Sequence, residues 1–338
     1  MSGTEKFTFN WPFFGNTHII DFLQRSIENN RLAHFYIFAG ARNVGKLSAA
    51  RQFAGSLLCE NFANGRGALP CGECAACRQF GQNRHSDVVW LERIADKKNI
   101  SIEQVREFIR AMHMGTFMGQ RKAGIIKDAD TLSVEAANAL LKTLEEPSGK
   151  VTMILLTALP ERLPATILSR AQVLRFLPAP AGDIYDYLVR EHKAGRDVSR
   201  RLSRLCLGRP ALAVKLWEDK EFLKKADEAR QIFFRLVQSQ STEQFSLIAD
   251  LLKQNKDTDA RTQAGEILEW WQVALRDLLL TRVGAQDVAA GEGAAEISDN
   301  TLPLERIMRL ARALRTAEIY LQANVQPAAA LESVALCV

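Results

Sequence analysis

Four of the six cysteines, Cys59, Cys71, Cys74 and Cys77, crowd into one stretch with the spacing C-x11-C-x2-C-x2-C. Four thiolates complete the tetrahedral shell of a zinc ion, and a shell closed by sulfur leaves no position for water or substrate. The expected metal is therefore structural, not catalytic. Gly72 between the ligands and the Gly65-Arg66-Gly67 run before them supply the turns of a small knuckle. The competing reading is a loop of reduced, metal-free thiols. Cys206 and Cys337 stand apart and read as ordinary buried thiols.

Upstream of the cysteines, the apolar run Phe35–Ala39 leads into Gly40-Ala41-Arg42-Asn43-Val44-Gly45-Lys46-Leu47-Ser48, and a helix-period segment follows. This is G-x4-G-K between a strand and a helix. In such a loop the backbone curls so that the N–H groups around Gly40, Asn43, Val44 and Gly45 face phosphate oxygens. The helix N-terminus adds positive potential, and Lys46 reaches the terminal phosphates of ATP or ADP. Magnesium, by contrast, has lost its usual ligands. The residue after the lysine should carry a hydroxyl, but it is Leu47, and Ser48 comes one position too late on the helix. The strand Ala123–Ile126 runs into Lys127-Asp128, so a cation stands where a metal-directed aspartate is expected.

The elements that must position these groups follow from the apolar pattern. Phe35–Ala39, Val88–Leu91, Ala123–Ile126, Val151–Leu156 and Val173–Phe176 are short apolar runs bounded by polar or turn residues, as buried parallel strands are. Ala50, Phe53, Ala54, Leu57 and Leu58 lie at helical spacing between two of them. Alternation of this kind predicts a wound α/β sheet. Pro178, Pro180 and Gly182 mark a joint, after which the pattern is helical. Ile267, Trp270, Trp271, Ala274, Leu275 and Leu278 form one apolar face there, read as core. Arg196, Arg200, Arg201 and Arg204 read as the solvated side of a helix, and 284–300 reads as a loop.

The 338 residues are 47% apolar and 25% charged, which excludes a disordered chain and a small disulfide scaffold. No window approaches the roughly 18 apolar residues of a membrane span, and Met1–Phe14 lacks the layout of a secretory signal, so the expected compartment is the cytoplasm. The net charge of +5 is concentrated before Leu177, compatible with a polyanionic partner.

Asn138-Ala139-Leu140-Leu141-Lys142-Thr143-Leu144-Glu145-Glu146-Pro147, then Leu156-Thr157 and Thr166-Ile167-Leu168-Ser169-Arg170, resemble the AAA+ subunits of bacterial sliding-clamp loaders. Arg31-Leu32-Ala33-His34 before the first strand and the four-cysteine insert after the phosphate-loop helix are similar to the same family. The resemblance is specific from about Phe14 to Trp217 and weaker beyond, where it rests on segments such as Trp270-Trp271 and Asn324-Val325. Within the family, the altered metal positions resemble delta prime subunits more than the gamma/tau motor. Gly208-Arg209-Pro210-Ala211 points the same way, because a motor would carry its sensor arginine near Ala211. Ala171 departs from the cysteine usual after Ser-Arg.

The resemblance implies an AAA+ phosphate-loop domain over 1–177 with a zinc insert at about 59–77, a helical lid over 178–218, and a helical collar over 219–338. It implies that nucleotide sits at subunit boundaries near Gly40, Asn43, Val44, Gly45, Lys46 and Thr157. Arg170, with Ser169, would complete the site of the next subunit. The partners it implies are gamma/tau and delta-like subunits in a hetero-oligomer, with the sliding clamp and primed DNA met through the complex. Lys142 and the basic surplus suit DNA phosphate, or equally a solvated helix face. Two other readings compete: an active gamma/tau-type ATPase, and a zinc-dependent DNA-binding module on a vestigial AAA+ fold.

Overall fold

The computed structural model describes residues 6–94, 97, 99–119, 121–145, 150–239, 241–253, 259–285, 288–290, 302–323 and 325–337. Most of the 284–300 segment, and Glu146, Pro147 and Asn324, lie outside the described residues. The chain divides into two compact units, Met1–Ala179 with Arg209–Ala211, and Pro180–Gly208 with Leu212–Val338. The first break falls within the expected Pro178–Gly182 joint. Among the described residues, no helix is long and apolar enough to cross a membrane.

In the first unit the order is β1 (Phe7–Phe9), α1 (Thr17–Glu28), β2 (Phe35–Ala39), α2 (Lys46–Leu58), α3 (Glu60–Asn64), β3 (Gly67–Leu69) and α4 (Ala75–Gly81). Then come β4 (Val88–Leu91), α5 (Ile102–His113), β5 (Lys122–Ile126), α6 (Val134–Glu145), β6 (Val151–Thr157), α7 (Ala165–Leu168) and β7 (Gln172–Arg175). Five of the strands pair in the order β4-β5-β6-β2-β7, every pair parallel. These are the five strands predicted from the apolar runs, with their ends moved by about a residue. A parallel sheet must be covered on both faces, which is why its strands are apolar throughout.

The faces separate with period two. Tyr36 and Phe38 of β2, with Ile154 and Leu156 of β6, pack with Phe53 and Leu57 of α2 and Leu23 of α1. Phe35, Ile37 and Ala39, with Met153 and Leu155, pack with Val105 and Phe108 of α5 and Leu140 of α6. Helix α5 starts on a capping box in which Ser101 and Gln104 satisfy each other's backbone N–H.

Two buried charges hold the connection from α5 to β5. The Asp87 carboxylate accepts from the N–H groups of Phe117, Met118 and Gly119 at 2.7, 2.9 and 3.0 Å. Lys122 donates to the carbonyls of Ala111, Met114 and Gly115 at 2.8, 2.7 and 3.3 Å. Each charge is thus solvated by backbone in place of water. Met114, Phe117 and Met118 are exposed on this connection.

The second unit is helical: α8 (Ala181–Arg190), α9 (Arg196–Leu205), α10 (Pro210–Glu218, whose first two residues belong to the first unit), α11 (Lys220–Gln238), α12 (Ser241–Lys253), α13 (Ala260–Arg282), α14 (Leu304–Gln322) and α15 (Pro327–Ala335). Trp271 is the largest side chain in its core and is fully enclosed, with Ile267, Ala274, Leu275 and Leu278 around it as the helical spacing predicts. The indole of Trp271 donates to Ala229 O at 3.0 Å, so its polar edge is satisfied as well.

One close approach in the sheet is testable. A Cβ at Gly124, in the middle of β5, would stand 2.6 Å from the Phe108 ring and 2.9 Å from Met112 Sδ. Gly124→Ala is expected to lower stability by about 1–3 kcal/mol through overpacking of α5 on the sheet, read from urea unfolding. A change within a few tenths would show that α5 yields without strain.

Candidate functional site

The phosphate loop leaves the carboxyl end of β2, an interior strand, and enters α2. Gly40 has φ 147 and lies so close to the end of β7 that a Cβ would come within 2.4 Å of Phe176 O. Asn43 and Gly45 also take positive φ, at 61 and 107, and Val44 between them is buried. No side chain caps the start of α2. Its first N–H groups are therefore available to an anion, as the G-x4-G-K pattern predicts.

The Lys46 ammonium is buried and turns back onto the loop, donating to Gly40 O at 2.6 Å and Ala41 O at 2.7 Å. Burial pulls its pKa down to about 8, partly opposed by Asp128 and Asp130. Thr157, at the carboxyl end of β6, is brought beside the start of the loop, where Gly40 N–H donates to its carbonyl at 3.1 Å. Its hydroxyl donates to Asp130 Oδ1 at 2.8 Å, and the same oxygen accepts from Ala158 N–H at 3.0 Å. A further contact closes the loop's tip: Ala211 N–H donates to Asn43 O at 3.2 Å.

The two positions expected to ligate magnesium are otherwise engaged. Leu47 is 39% exposed and offers only carbon. Lys127 bonds to Glu92 Oε2 at 2.7 Å and lies over the Trp90 ring, so its charge is committed to β4 and the residue after it. Sequence reasoning missed Asp130 and Ala211 as neighbours of the loop. The Asp128-Ala129-Asp130 spacing just past β5 was the available signal for the first; a backbone N–H leaves none for the second.

Arg170 sits elsewhere. It follows α7 and precedes β7, and its Nη1 donates to Thr166 O at 3.0 Å, with Ser169 Oγ at 3.5 Å. Because β7 pairs in parallel with β2, with Tyr36 opposite Gln172 and Ala39 opposite Arg175, Arg170 lies beyond the amino end of that pair. The phosphate loop lies beyond the carboxyl end. The structure therefore brings Gly40, Asn43, Val44, Gly45, Lys46 and Thr157 together and keeps Ser169 and Arg170 apart from them.

The four cysteines converge. Cys59 ends α2, Cys71 and Cys74 flank a turn after β3, and Cys77 is in the first turn of α4. All four sulfurs lie within 4.8 Å of one another, and Cys71 and Cys77 are 3.8 Å apart. A tetrahedron of zinc–sulfur bonds near 2.3 Å has edges of about 3.8 Å. The N–H groups of Cys71, Cys74 and Cys77 donate to the sulfurs of Cys59, Cys71 and Cys74, each at 3.4 Å, which suits thiolates. The Cys77 contact draws the Cys59 thiol down to about 5, while the same contact and burial push Cys77 up. The donor set fits a closed structural metal site. Among the remaining cysteines, Cys206 is buried and Cys337 only partly so.

The Lys46 geometry sets a pH dependence. With its folded value near 8 and its ordinary value 10.5, the unfolded chain holds the proton more tightly, so this group's contribution to stability rises as pH climbs from about 8 towards 10.5. Lys46→Met should remove that component, seen as a flatter stability profile than the parent over this range in urea unfolding. Parallel profiles for the two proteins would refute it.

The comparisons with known proteins agree with this geometry. The family described as "DNA polymerase III, delta subunit" matches residues 15–180. DNA polymerase III subunit delta' of Bacillus subtilis is 30% identical over 272 residues, 80% of this chain and 78% of that one. DNA polymerase III subunit tau/gamma of Haemophilus influenzae is 40% identical over 156 residues, 46% of this chain, and the chain spans only 22% of that longer protein. A DNA polymerase III gamma subunit-related protein of Thermotoga maritima shares the fold, with TM-score 0.50 at 16% identity over 93% of this chain and 97% of that one. The parallel α/β unit with its phosphate loop, the helices after it and the length of the delta' match together place this chain in the delta' family of DNA polymerase III clamp-loader subunits, relatives of tau/gamma.

Proposed function

We propose that the chain acts as the stator of a clamp loader in DNA replication. In this reading it hydrolyses little or no ATP itself and supplies Arg170 to the nucleotide site of a neighbouring gamma/tau motor. The observation that carries the reading is the parallel register of β2 and β7, which puts Arg170 at the opposite end of the sheet from the chain's own phosphate loop. A guanidinium that cannot serve its own loop is suited to serve another subunit's. There it neutralises charge developing on the transferred phosphoryl group, with Ser169 shaping the turn that presents it.

Leu47 and Lys127 support the absence of turnover, since neither ligates a hard cation. The positive-φ loop and the uncapped start of α2 support binding of ATP or ADP without hydrolysis as part of the proposal. The helices of 178–218 are read as a lid, and those of 219–338 as the collar that would join the ring with gamma/tau and delta-like subunits. The clamp and primed DNA are met by the complex. Exposed Lys142 on α6 is a candidate phosphate contact.

Zinc completes the proposal, held by Cys59, Cys71, Cys74 and Cys77. It would fasten the segment from α3 to α4 to the end of α2, a structural role with no bond left for chemistry. Elemental analysis of protein purified without chelator is expected to give one zinc per chain. Stripping it should speed amide exchange in residues 60–81 far more than in the sheet, which has its own core. Metal-free protein with an equally protected insert would refute the site.

The trans role is tested by Arg170→Ala in a reconstituted loader. Folding and assembly should be retained, because the side chain is exposed, while turnover at the neighbouring site falls on the order of 10³-fold or more. Clamp loading onto primed DNA is the better measurement, since other sites in the ring continue to hydrolyse. Arg170→Lys should restore little, because an ammonium cannot make the planar two-pronged contact with phosphate oxygens. The isolated chain should release phosphate only at background. Full loading by both variants in a stoichiometric complex would remove the mechanism.

A further inference from the structure

The arginines of α9 that read as a solvated face do not all end in water. Arg201 bonds to Asp227 of α11. Asp227 is also 3.7 Å from Arg230, one turn along the same helix. Arg230 is buried and bonds through Nη2 to Asp277 Oδ2 of α13 at 2.8 Å. Asp277 is fully buried, and its other oxygen accepts from Arg276 at 3.2 Å and from Ala290 N–H at 3.2 Å. From the next residue back, Ala289 O accepts from Arg204 at 3.5 Å, which returns the path to α9 one turn from where it began.

We propose that this circuit is a lock that makes helices α8–α10 and helices α11–α15 one mechanical body. Only Asp219 joins α10 to α11 along the chain, capping α11 by accepting from Phe222 N–H at 2.9 Å, so the covalent link alone would serve as a hinge. The circuit spans that hinge through three helices and the 288–290 segment. Its charges alternate in sign from the half-exposed rim at Arg201 to the enclosed Asp277, so opening it anywhere strands a charge that is buried further in. Lys215 of α10, over the Phe222 ring of α11 at 3.5 Å, is a second tie across the same hinge. The lock is independent of the trans role of Arg170. Its consequence is that a push on α9 reaches α13 without being absorbed at Asp219.

Hydrogen exchange on the full-length chain tests the lock. Asp227→Asn and Arg201→Gln alter its outer end and leave the buried Arg230–Asp277 pair intact, so α11 and α13 stay joined. Each is expected to speed exchange about tenfold in α9 and in 288–290, the scale of losing one hydrogen bond to a charged group, while amides around Trp271 in α13 keep their protection. Asp277→Asn, at the enclosed end, should release the same two segments to a greater extent. Unchanged exchange in α9 for both outer variants would overturn the lock. So would an equal acceleration across all the helices of the unit, because that pattern marks ordinary loss of stability.

Discussion

Hydrogen bonding of β2 on both sides by parallel neighbours is the constraint on which the rest of this molecule depends. A parallel ladder sends every strand's carboxyl end to the same edge of the sheet, where backbone turning into helices leaves N–H groups for an anion. The same ladder sends what precedes each strand to the other edge. The phosphate loop follows β2 and Arg170 precedes β7, so one register separates the two groups by the length of the strands, about 3.3 Å per residue. No side-chain rotation closes that gap. The phosphate loop and Arg170 are thus fixed at opposite edges of the sheet by topology alone.

The glycine and lysine positions of the loop have structural work of their own to do. Gly40 cannot carry a side chain, because Phe176 O occupies the place of its Cβ. Lys46 holds the curl by bonding to two of the loop's own carbonyls, and Ala211 N–H takes a third. These roles persist whether or not phosphate is hydrolysed. Leu47 has no such role, as its side chain lies at the surface, so a hydroxyl there has only metal binding to recommend it.

The same distinction explains what could be read from the residues. The five sheet strands were legible because burial on two faces demands uninterrupted apolar runs, and the cysteine cluster because metal spacing is local. Strands β1 and β3 were not. Each has three residues, Phe7–Phe9 is followed by an equally aromatic Trp11–Phe14, and their pairing joins segments about sixty positions apart. The buried charges were also hidden. Asp87 and Lys122 bond to backbone of a connection whose shape no residue type announces, and Asp277 looks like any acid on a helix until α11 and 288–290 are folded against it.

That blind spot has a physical origin. Periodicity reports which face of an element is apolar, and so it assigns every charged residue to solvent by default. A charge solvated by backbone dipoles or by an opposite charge from another helix satisfies the same energetic requirement away from water, at the cost of needing its partners in place. Asp87, Lys122 and Asp277 all belong to this class: Asp87 and Asp277 stand where segments distant in sequence must meet at one fixed spacing, and Lys122 fixes the short connection from α5 to β5. Apolar packing alone tolerates small slips between such segments. A buried carboxylate with three N–H donors, or an ammonium with three carbonyls, does not, since a shift of an ångström leaves the charge without its shell. The polar groups least visible in the sequence are therefore those that set the register between its most legible elements.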